Sequence, residues 1–271
     1  MKFYKMNGIG NDFIMLDAFH DPVENPAELA VRLCRRRLSV GADGLIVLEP
    51  TPNGDAFMRL FNNDGSPAEM CGNGIRCTAK LTYDLGIARR DELIIDTPAG
   101  IRHIRMYVEN GKAVAAMVDM GVPDTTPAHI PLDNPTNEFT VDLGGTAARF
   151  FCVSLGVPHA VTYDVFPEEA DFRRFGAFME THPKFPHKAN IDFARVDDRG
   201  NVTVKVWERG CGPTLGCGTG SCAALTAGVT AGIVDRDALI HLPGGTLHDV
   251  WAEDGHIYMT GPAELSYIGE I

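Results

Sequence analysis

Short stretches in which apolar and polar side chains alternate recur along the chain. Residues 2–6, 57–61, 101–108 and 202–207 have the period of two that predicts half-buried β-strands. Asn110-Gly111 follows one of these stretches and is typical of a tight hairpin. The pattern predicts a protein built largely of short strands joined by turns.

Two segments instead have the period of amphipathic helices. In residues 26–38 the apolar positions, Leu38 included, fall on one face. Asn25 is expected to cap this helix, and Arg35-Arg36-Arg37 to lie mostly on its solvent face. The same periodicity predicts a counterpart helix over residues 168–180 in the second half of the chain, so we expect one surface helix in each half.

Cys71-Gly72-Asn73-Gly74 and Cys217-Gly218-Thr219-Gly220 share one pattern, and each opens a helical run of mostly small or apolar residues. The separation in sequence between Cys71 and Cys217 is the same as that between Gly10 and Gly156. We therefore interpret the two halves of the chain as diverged copies of one unit. Such apolar helices are expected to be buried. We therefore predict an α+β fold of two pseudo-symmetric domains, each a barrel-like, mostly antiparallel sheet around a central helix, with the active site in the interdomain cleft. The predicted domains are residues 1–121, to which 263–271 return, and residues 122–262.

Composition narrows the function classes. The 36 acidic and 24 basic side chains give a formal net charge of −12, which argues against binding to nucleic acid or to an anionic membrane surface. No apolar run reaches the roughly 18 residues of a membrane span, and the first residues do not resemble a signal peptide. Seven cysteines, an odd number, favour reduced thiols. We expect a cytoplasmic protein.

The two cysteines are placed for proton transfer. A thiol at a helix start gains from the amide dipoles, which favour its thiolate. The glycines that follow leave amide N–H groups open to a substrate carboxylate. One thiolate could then remove an α-proton while the other thiol supplies a proton to the opposite face. This interpretation predicts racemisation or epimerisation without cofactor or metal.

Other interpretations stay open at this point. A cysteine at a helix start is often only a packing residue. Cys71, Cys77, Cys217 and Cys222 could form a zinc site, although their spacing does not suit a zinc ribbon. A glycine-rich phosphate cradle would lack the Lys-Ser/Thr of a P-loop. Two further alternatives stay open. The protein could be a non-catalytic ligand-binding or metal-binding protein, or an isomerase that shifts protons without using a pair of cysteines.

Five segments together are similar to the diaminopimelate epimerase family. They are residues 7–13, 61–66, 70–77, 208–210 and 217–220. The resemblance spans essentially the whole chain. It implies a two-domain epimerase, independent of pyridoxal phosphate, that interconverts LL- and meso-2,6-diaminopimelate for lysine and peptidoglycan synthesis, and that forms a homodimer.

The resemblance also implies roles for particular residues. Cys71 and Cys217 would be the acid/base pair, with His159 and Glu208 adjusting their thiols. Tyr267 would be a dimer contact. The implied substrate ligands are Asn11, Gly44, Asn62, Gly72, Asn73, Asn190, Glu208, Arg209, Gly218 and Thr219.

The chain departs from the family pattern at three positions. Val157 stands where members commonly have Asn, Gly44 where some carry a polar ligand, and Pro213 where Glu is frequent. An apolar residue facing a polar distal group would change substrate preference. A cofactor-independent racemase of the same family, acting on another amino acid, is therefore kept as the alternative.

Overall fold

The computed structural model describes residues 1–271, which divide into two compact units. Unit 1 is Met1–Asp119 with Thr260–Ile271, and unit 2 is Met120–Met259. Both contain far more strand than helix, so the α+β prediction is confirmed. No helix of the chain has both the length and the apolar character needed to cross a membrane.

Unit 1 has two helices among its strands. Its elements are β1 (Lys2–Gly8), β2 (Asn11–Asp17), α1 (Pro26–Leu33), β3 (Gly44–Glu49), β4 (Ala56–Asn62), β5 (Pro67–Ala68), α2 (Gly72–Asp84), β6 (Glu92–Asp96), β7 (Arg102–Glu109), β8 (Lys112–Asp119) and, from the end of the chain, β18 (Glu264–Glu270). Asn110 and Gly111 both have positive φ between β7 and β8, as a two-residue hairpin turn requires.

The order of helices and strands in unit 2 repeats that of unit 1. The elements of unit 2 are β9 (Glu138–Asp142), β10 (Ala147–Ser154), β11 (Pro158–Thr162), α3 (Glu169–Glu180), β12 (Asn190–Asp198), β13 (Asn201–Glu208), β14 (Gly212–Thr214), α4 (Gly218–Thr230), β15 (Asp237–Leu242) and β16 (Gly245–Trp251). A further strand, β17 (Ile257–Pro262), includes the boundary between the units.

The strand pairings show the internal repeat directly. In unit 1, β1–β2 is antiparallel, β2–β3 parallel, β3–β4 antiparallel, β4–β6 parallel and β6–β7 antiparallel. In unit 2, the pairs β10–β11, β11–β12, β12–β13, β13–β15 and β15–β16 follow the same alternation. Each parallel pair needs a crossover, and these crossovers contain α1 and α2 in unit 1 and α3 and α4 in unit 2.

The helices α2 and α4 are the central helices of their units. Helix α2 contacts six strands besides β1, and α4 contacts strands from β10 to β16. In α2 every residue from Asn73 to Thr82 is buried, and in α4 burial is nearly continuous from Gly218 to Gly228. A helix buried on nearly all sides is expected to be mostly apolar, and α4 contains no charged residue.

Three details of the first surface helix were predicted wrongly. Helix α1 ends at Leu33, and Leu38 is 74% exposed. The carbonyls of Leu33 and Cys34 accept hydrogen bonds from the N–H groups of Gly41 and Ala42, because the chain folds back over the helix end. Asn25 has a left-handed conformation, with φ of 50°, and its side chain makes no capping hydrogen bond. The second surface helix, α3, agrees with its prediction.

Candidate active site

Each central helix begins at a cysteine that caps it. Cys71 and Cys217 have extended backbones, and each Sγ accepts a hydrogen bond of 3.4 Å from the N–H group three residues further on, Gly74 and Gly220 respectively. Neither helix has an acidic residue in its first turn to offset its positive N-terminal dipole. Both helix starts therefore favour a nearby negative charge, on the sulfur or on a bound anion.

In unit 1 the Cys71 thiol lies against Asn11. Its Sγ donates to Asn11 Oδ1 at 3.6 Å, and Asn73 Nδ2 donates to the same oxygen at 3.3 Å. Asn11 Nδ2 in turn donates to Asp43 Oδ2 at 2.9 Å. The Asn11 amide is thereby fixed with its oxygen toward the thiol.

A charged network holds this asparagine in place. Arg36 contacts both Asp12 and Asp43, and Lys5 contacts Asp12 and donates to the Gly41 carbonyl at 2.6 Å. Burial alone would raise the pKa of Asp12, but hydrogen bonds from Arg36 and Lys5 outweigh it and lower that pKa. The expectation that Arg36 lies on a solvated helix face is thus wrong: it follows the helix and bridges two carboxylates.

The first turn of α2 is fixed from within the unit by Arg76. This guanidinium is fully buried and donates to the Gly72 carbonyl at 2.9 Å, to Asn73 Oδ1 at 2.8 Å and to the Pro262 carbonyl at 3.2 Å. A buried arginine needs this many partners to offset its desolvation. It holds the two residues that follow Cys71.

Gly44 and Asn62 are paired across β3 and β4. Asn62 is exposed, and its Nδ2 donates to Ser66 Oγ at 3.0 Å. A Cβ on Gly44 would lie 2.8 Å from the Phe61 carbonyl oxygen. A side chain at this position would require the backbone to move, so Gly44 can offer a ligand only its main chain.

In unit 2 a chain of hydrogen bonds leads away from Cys217. Its Sγ lies 3.5 Å from Thr219 Oγ1, and that hydroxyl lies 2.9 Å from His159 Nε2. His159 is fully buried, and its Nδ1 lies 2.7 Å from Asp192 Oδ2. The imidazole is therefore held from both sides.

Asn190 and Glu208 complete this cluster. Asn190 Nδ2 lies 3.2 Å from His159 Nε2, while its Oδ1 accepts from the Arg209 N–H at 2.8 Å. Glu208 Oε1 accepts from Thr214 Oγ1 at 2.6 Å, and its carboxyl group hydrogen-bonds Cys217.

Burial is the largest influence on the pKa values of Cys217, Glu208 and Asp192 in unit 2. It raises the pKa of the Cys217 thiol well above its ordinary value of 9.0, and the carboxylates of Glu208 and Asp192 raise it further. Burial also raises the pKa of Glu208 and of Asp192. At neutral pH Cys217 is therefore a thiol, which must pass its proton to a neighbour before it can act as a base.

The side chains of Arg209 and Tyr267, and the thiols of Cys77 and Cys222, lie outside these two clusters. Arg209 is exposed, and its guanidinium donates to the His187 carbonyl at 3.3 Å. Tyr267 is 47% exposed on β18, where its ring meets Phe3 edge-on at 6.0 Å between centroids. Cys77 and Cys222 are fully buried one turn or more along the central helices, and burial raises the pKa of Cys77 to about 12.

Sequence reasoning missed two carboxylates. Asp192 is fully buried beside His159. It lies two residues after Asn190 on the same strand, and the period of two could have predicted that their side chains share a face. Glu180, at the end of α3, accepts from the Trp207 indole N–H at 2.7 Å and from the Gly210 N–H at 3.1 Å. No local pattern predicted that contact.

The cysteine clusters of the two units offer different acid/base groups. In unit 1 the thiol has an amide partner held by a charged network, and in unit 2 the thiol has an imidazole and two carboxyl groups within its hydrogen-bond cluster. Cysteine beside histidine or a carboxylate is suited to acid/base or nucleophilic catalysis.

Solved structures first define the class of fold. The chain matches a hydroxyproline epimerase from Agrobacterium vitis, solved with trans-4-hydroxy-L-proline, with a TM-score of 0.71 and 17% identity, covering 100% of this chain and 90% of that one. It matches a methylitaconate-delta-isomerase with a TM-score of 0.67 and 15% identity, covering 100% and 95% of the two chains. The fold is thus one that epimerases and isomerases share.

Sequence comparison then identifies the family. The diaminopimelate epimerase family model matches residues 3–126 and 151–266. The curated diaminopimelate epimerase of Methanococcus maripaludis is 45% identical over 275 residues, covering 100% of this chain and 99% of the relative. That of Acetivibrio thermocellus is 43% identical over 279 residues, covering 100% and 98%. The chain belongs to the diaminopimelate epimerase family and is an isomerase.

Proposed function

We propose that this protein interconverts LL- and meso-2,6-diaminopimelate, with Cys71 and Cys217 as the two acid/base groups. The observation that carries the proposal is the repeated helix start: two structurally equivalent cysteines cap the central helices of two units with the same strand order. Inversion at carbon needs one group to remove a proton and a second to return one to the opposite face. Membership in the family supports the choice of substrate.

In the proposed reaction the amides of Gly72, Asn73, Gly218 and Thr219 hold the reacting carboxylate. Negative charge grows on that carboxylate as the α-proton leaves, and the positive helix dipoles stabilise it. One cysteine acts as thiolate base and the other as thiol acid, and the reverse reaction exchanges these roles. The transfers use only side chains of this protein.

Arg209 is the proposed partner of the distal carboxylate, because its guanidinium is exposed and makes a single contact of 3.3 Å. Asn11, Asn62, Asn190 and Glu208 are proposed to bind the remaining polar groups. We also propose that the protein forms a homodimer through the exposed strand β18 and Tyr267. Sedimentation analysis of the pure protein tests this oligomeric state.

The direct test is α-proton exchange in D₂O with both diaminopimelate stereoisomers and with a monocarboxylic amino acid. We expect exchange and epimerisation of diaminopimelate, and loss of epimerisation by a factor of about 100 or more in Cys71→Ala and in Cys217→Ala. Cys211→Ala, which removes an exposed thiol outside both helices, is the matched control and should retain activity. Full turnover in either active-site variant would overturn the two-thiol mechanism.

Exchange of a monocarboxylic amino acid at least as fast as that of diaminopimelate would overturn the proposed substrate while leaving the mechanism intact. In that case Val157 and Gly44 become the positions to examine first.

A further inference from the structure

Four hydrogen-bonded groups link a fully buried carboxylate to the Cys217 thiol. Their order is Asp192, His159, Thr219 and Cys217, with separations of 2.7 Å, 2.9 Å and 3.5 Å. All four lie within unit 2, on β12, β11 and the start of α4. Which group donates in each hydrogen bond decides whether a proton can pass from one end of this series to the other.

Asn190 fixes that direction. The Arg209 backbone N–H can only donate, so the atom it meets at 2.8 Å is the Asn190 side-chain oxygen. The Asn190 NH₂ group therefore faces His159 Nε2 at 3.2 Å and donates to it. A nitrogen that accepts carries no proton, so the neutral imidazole holds its proton on Nδ1 and donates it to Asp192 Oδ2.

The same logic orients the remaining bonds. Because Nε2 accepts, the Thr219 hydroxyl donates its single proton to His159. Thr219 Oγ1 can then only accept from the Cys217 thiol. The Cys217 thiol has one proton, and Glu208 also hydrogen-bonds the sulfur. When the thiol donates to Thr219, each bond points toward His159, and the proton has a continuous path to the imidazole.

We propose that Asp192 is a positioning residue that holds His159 in the Nδ1–H tautomer, so that the Cys217 proton passes through Thr219 to His159. This inference deepens the proposed function, on which it rests. In the transfer the Cys217 proton moves to Thr219 Oγ1 as the Thr219 proton moves to His159 Nε2. The products are a thiolate and an imidazolium, and no other atom changes its bonds.

The surroundings stabilise both products. The thiolate accepts hydrogen bonds from the Gly220 N–H at 3.4 Å and from the re-protonated Thr219 hydroxyl. The imidazolium keeps its bond to the Asp192 carboxylate. The other titratable groups close to this cluster are Glu208, which also hydrogen-bonds Cys217, and Tyr163, whose hydroxyl donates to the Ala224 carbonyl.

The Asp192→Asn variant separates positioning from simple electrostatics, because the two effects have opposite signs. The negative charge of Asp192 opposes the Cys217 thiolate, so its removal alone would make Cys217 more reactive. Loss of the tautomer would instead make Cys217 less reactive, because Nε2 would carry a proton and could not accept another. A comparable tautomer error lowers the rate of a serine protease by about 10⁴.

The measurement is the rate of iodoacetamide alkylation of Cys217 against pH, followed by mass spectrometry of its peptide. We expect alkylation at neutral pH to fall about tenfold or more in Asp192→Asn, with the midpoint of the profile shifted to higher pH. Thr219→Val should reproduce this loss, and Thr219→Ser, which keeps the hydroxyl, should restore wild-type reactivity. Asp249→Asn, which alters another fully buried aspartate of the unit, should have no effect.

A second measurement does not depend on turnover. Nitrogen NMR of histidine-labelled protein, with His159 assigned through His159→Gln, should show the proton on Nδ1 in the wild type and on Nε2 in a substantial fraction of Asp192→Asn. Three results would each overturn the proposal. They are a His159 proton on Nε2 in the wild type, faster alkylation of Cys217 in Asp192→Asn, and alkylation of Cys71 and Cys217 slowed equally by Asp192→Asn. Failure of the wild type to epimerise diaminopimelate would overturn only the proposed substrate.

Discussion

Glu180 anchors the loop that follows β13, and its removal gives a stability change that can be worked from the structure. Its Oε2 accepts from the Trp207 indole N–H at 2.7 Å, and its Oε1 from the Gly210 N–H at 3.1 Å and from Lys188 Nζ at 3.0 Å. Burial would raise the pKa of Glu180, but the Trp207 and Lys188 hydrogen bonds lower it. The carboxylate is therefore ionised when it holds these donors.

The free energy of unfolding that Glu180→Ala is expected to lose is the sum of contributions from three contacts of unequal strength. Hydrogen bonds to a charged group contribute about 1.5–3 kcal/mol each when their partner is left buried, which applies best to Trp207 and less to the more exposed Gly210. Lys188 is 51% exposed, so its ion pair contributes about 1 kcal/mol at most. We expect unit 2 to lose about 3–5 kcal/mol in Glu180→Ala. Glu180→Gln keeps one acceptor oxygen and should lose about half as much.

Urea denaturation followed by tryptophan fluorescence measures this loss, since Trp207 and Trp251 are the only tryptophans and both lie in unit 2. Trp207→Phe removes the indole donor but leaves Trp251 as a probe. A double-mutant cycle with Glu180→Gln should give a coupling of about 1–2 kcal/mol. A loss below about 1 kcal/mol in Glu180→Ala, or strict additivity in the cycle, would refute the reasoning.

Two further predictions concern the helix start of unit 2 and the charged network of unit 1. In Gly220→Ala the new Cβ would lie 3.0 Å from Asp192 Oδ1 and 3.3 Å from Cys217 Cβ, so overpacking of about 1–3 kcal/mol should exceed the helix gain of about 0.5–1 kcal/mol. Denaturation and turnover should both show the loss, and unchanged values for both would contradict it. Asp12 has a pKa below its ordinary 3.8, so its contribution to stability is present above about pH 4 and is lost as pH falls through the lower, folded-state pKa. Urea midpoints measured from pH 6 to pH 2 should therefore fall less steeply in Asp12→Asn than in the wild type, and parallel curves would argue against a stabilising role for the network.

The amino-acid sequence was sufficient for the features that depend on local pattern. Alternating apolar positions predicted four of the strands, β1, β4, β7 and β13, and Asn110-Gly111 predicted a hairpin. The repeated Cys-Gly-x-Gly segments predicted two buried helices that begin at a cysteine, and the fold repeats in the two units as that symmetry implied. These features follow from side-chain period and backbone preference over a few residues, which are properties of the sequence itself.

The tertiary structure decided which groups meet. Asp192 reaches His159 only because β11 and β12 pair in parallel, and Arg36 reaches Asp12 only because the chain turns back at Leu33. The same backward turn ends α1 earlier than its apolar period predicts. A local pattern cannot fix such contacts, because the desolvation and hydrogen bonding that determine them arise between segments brought together by strand register.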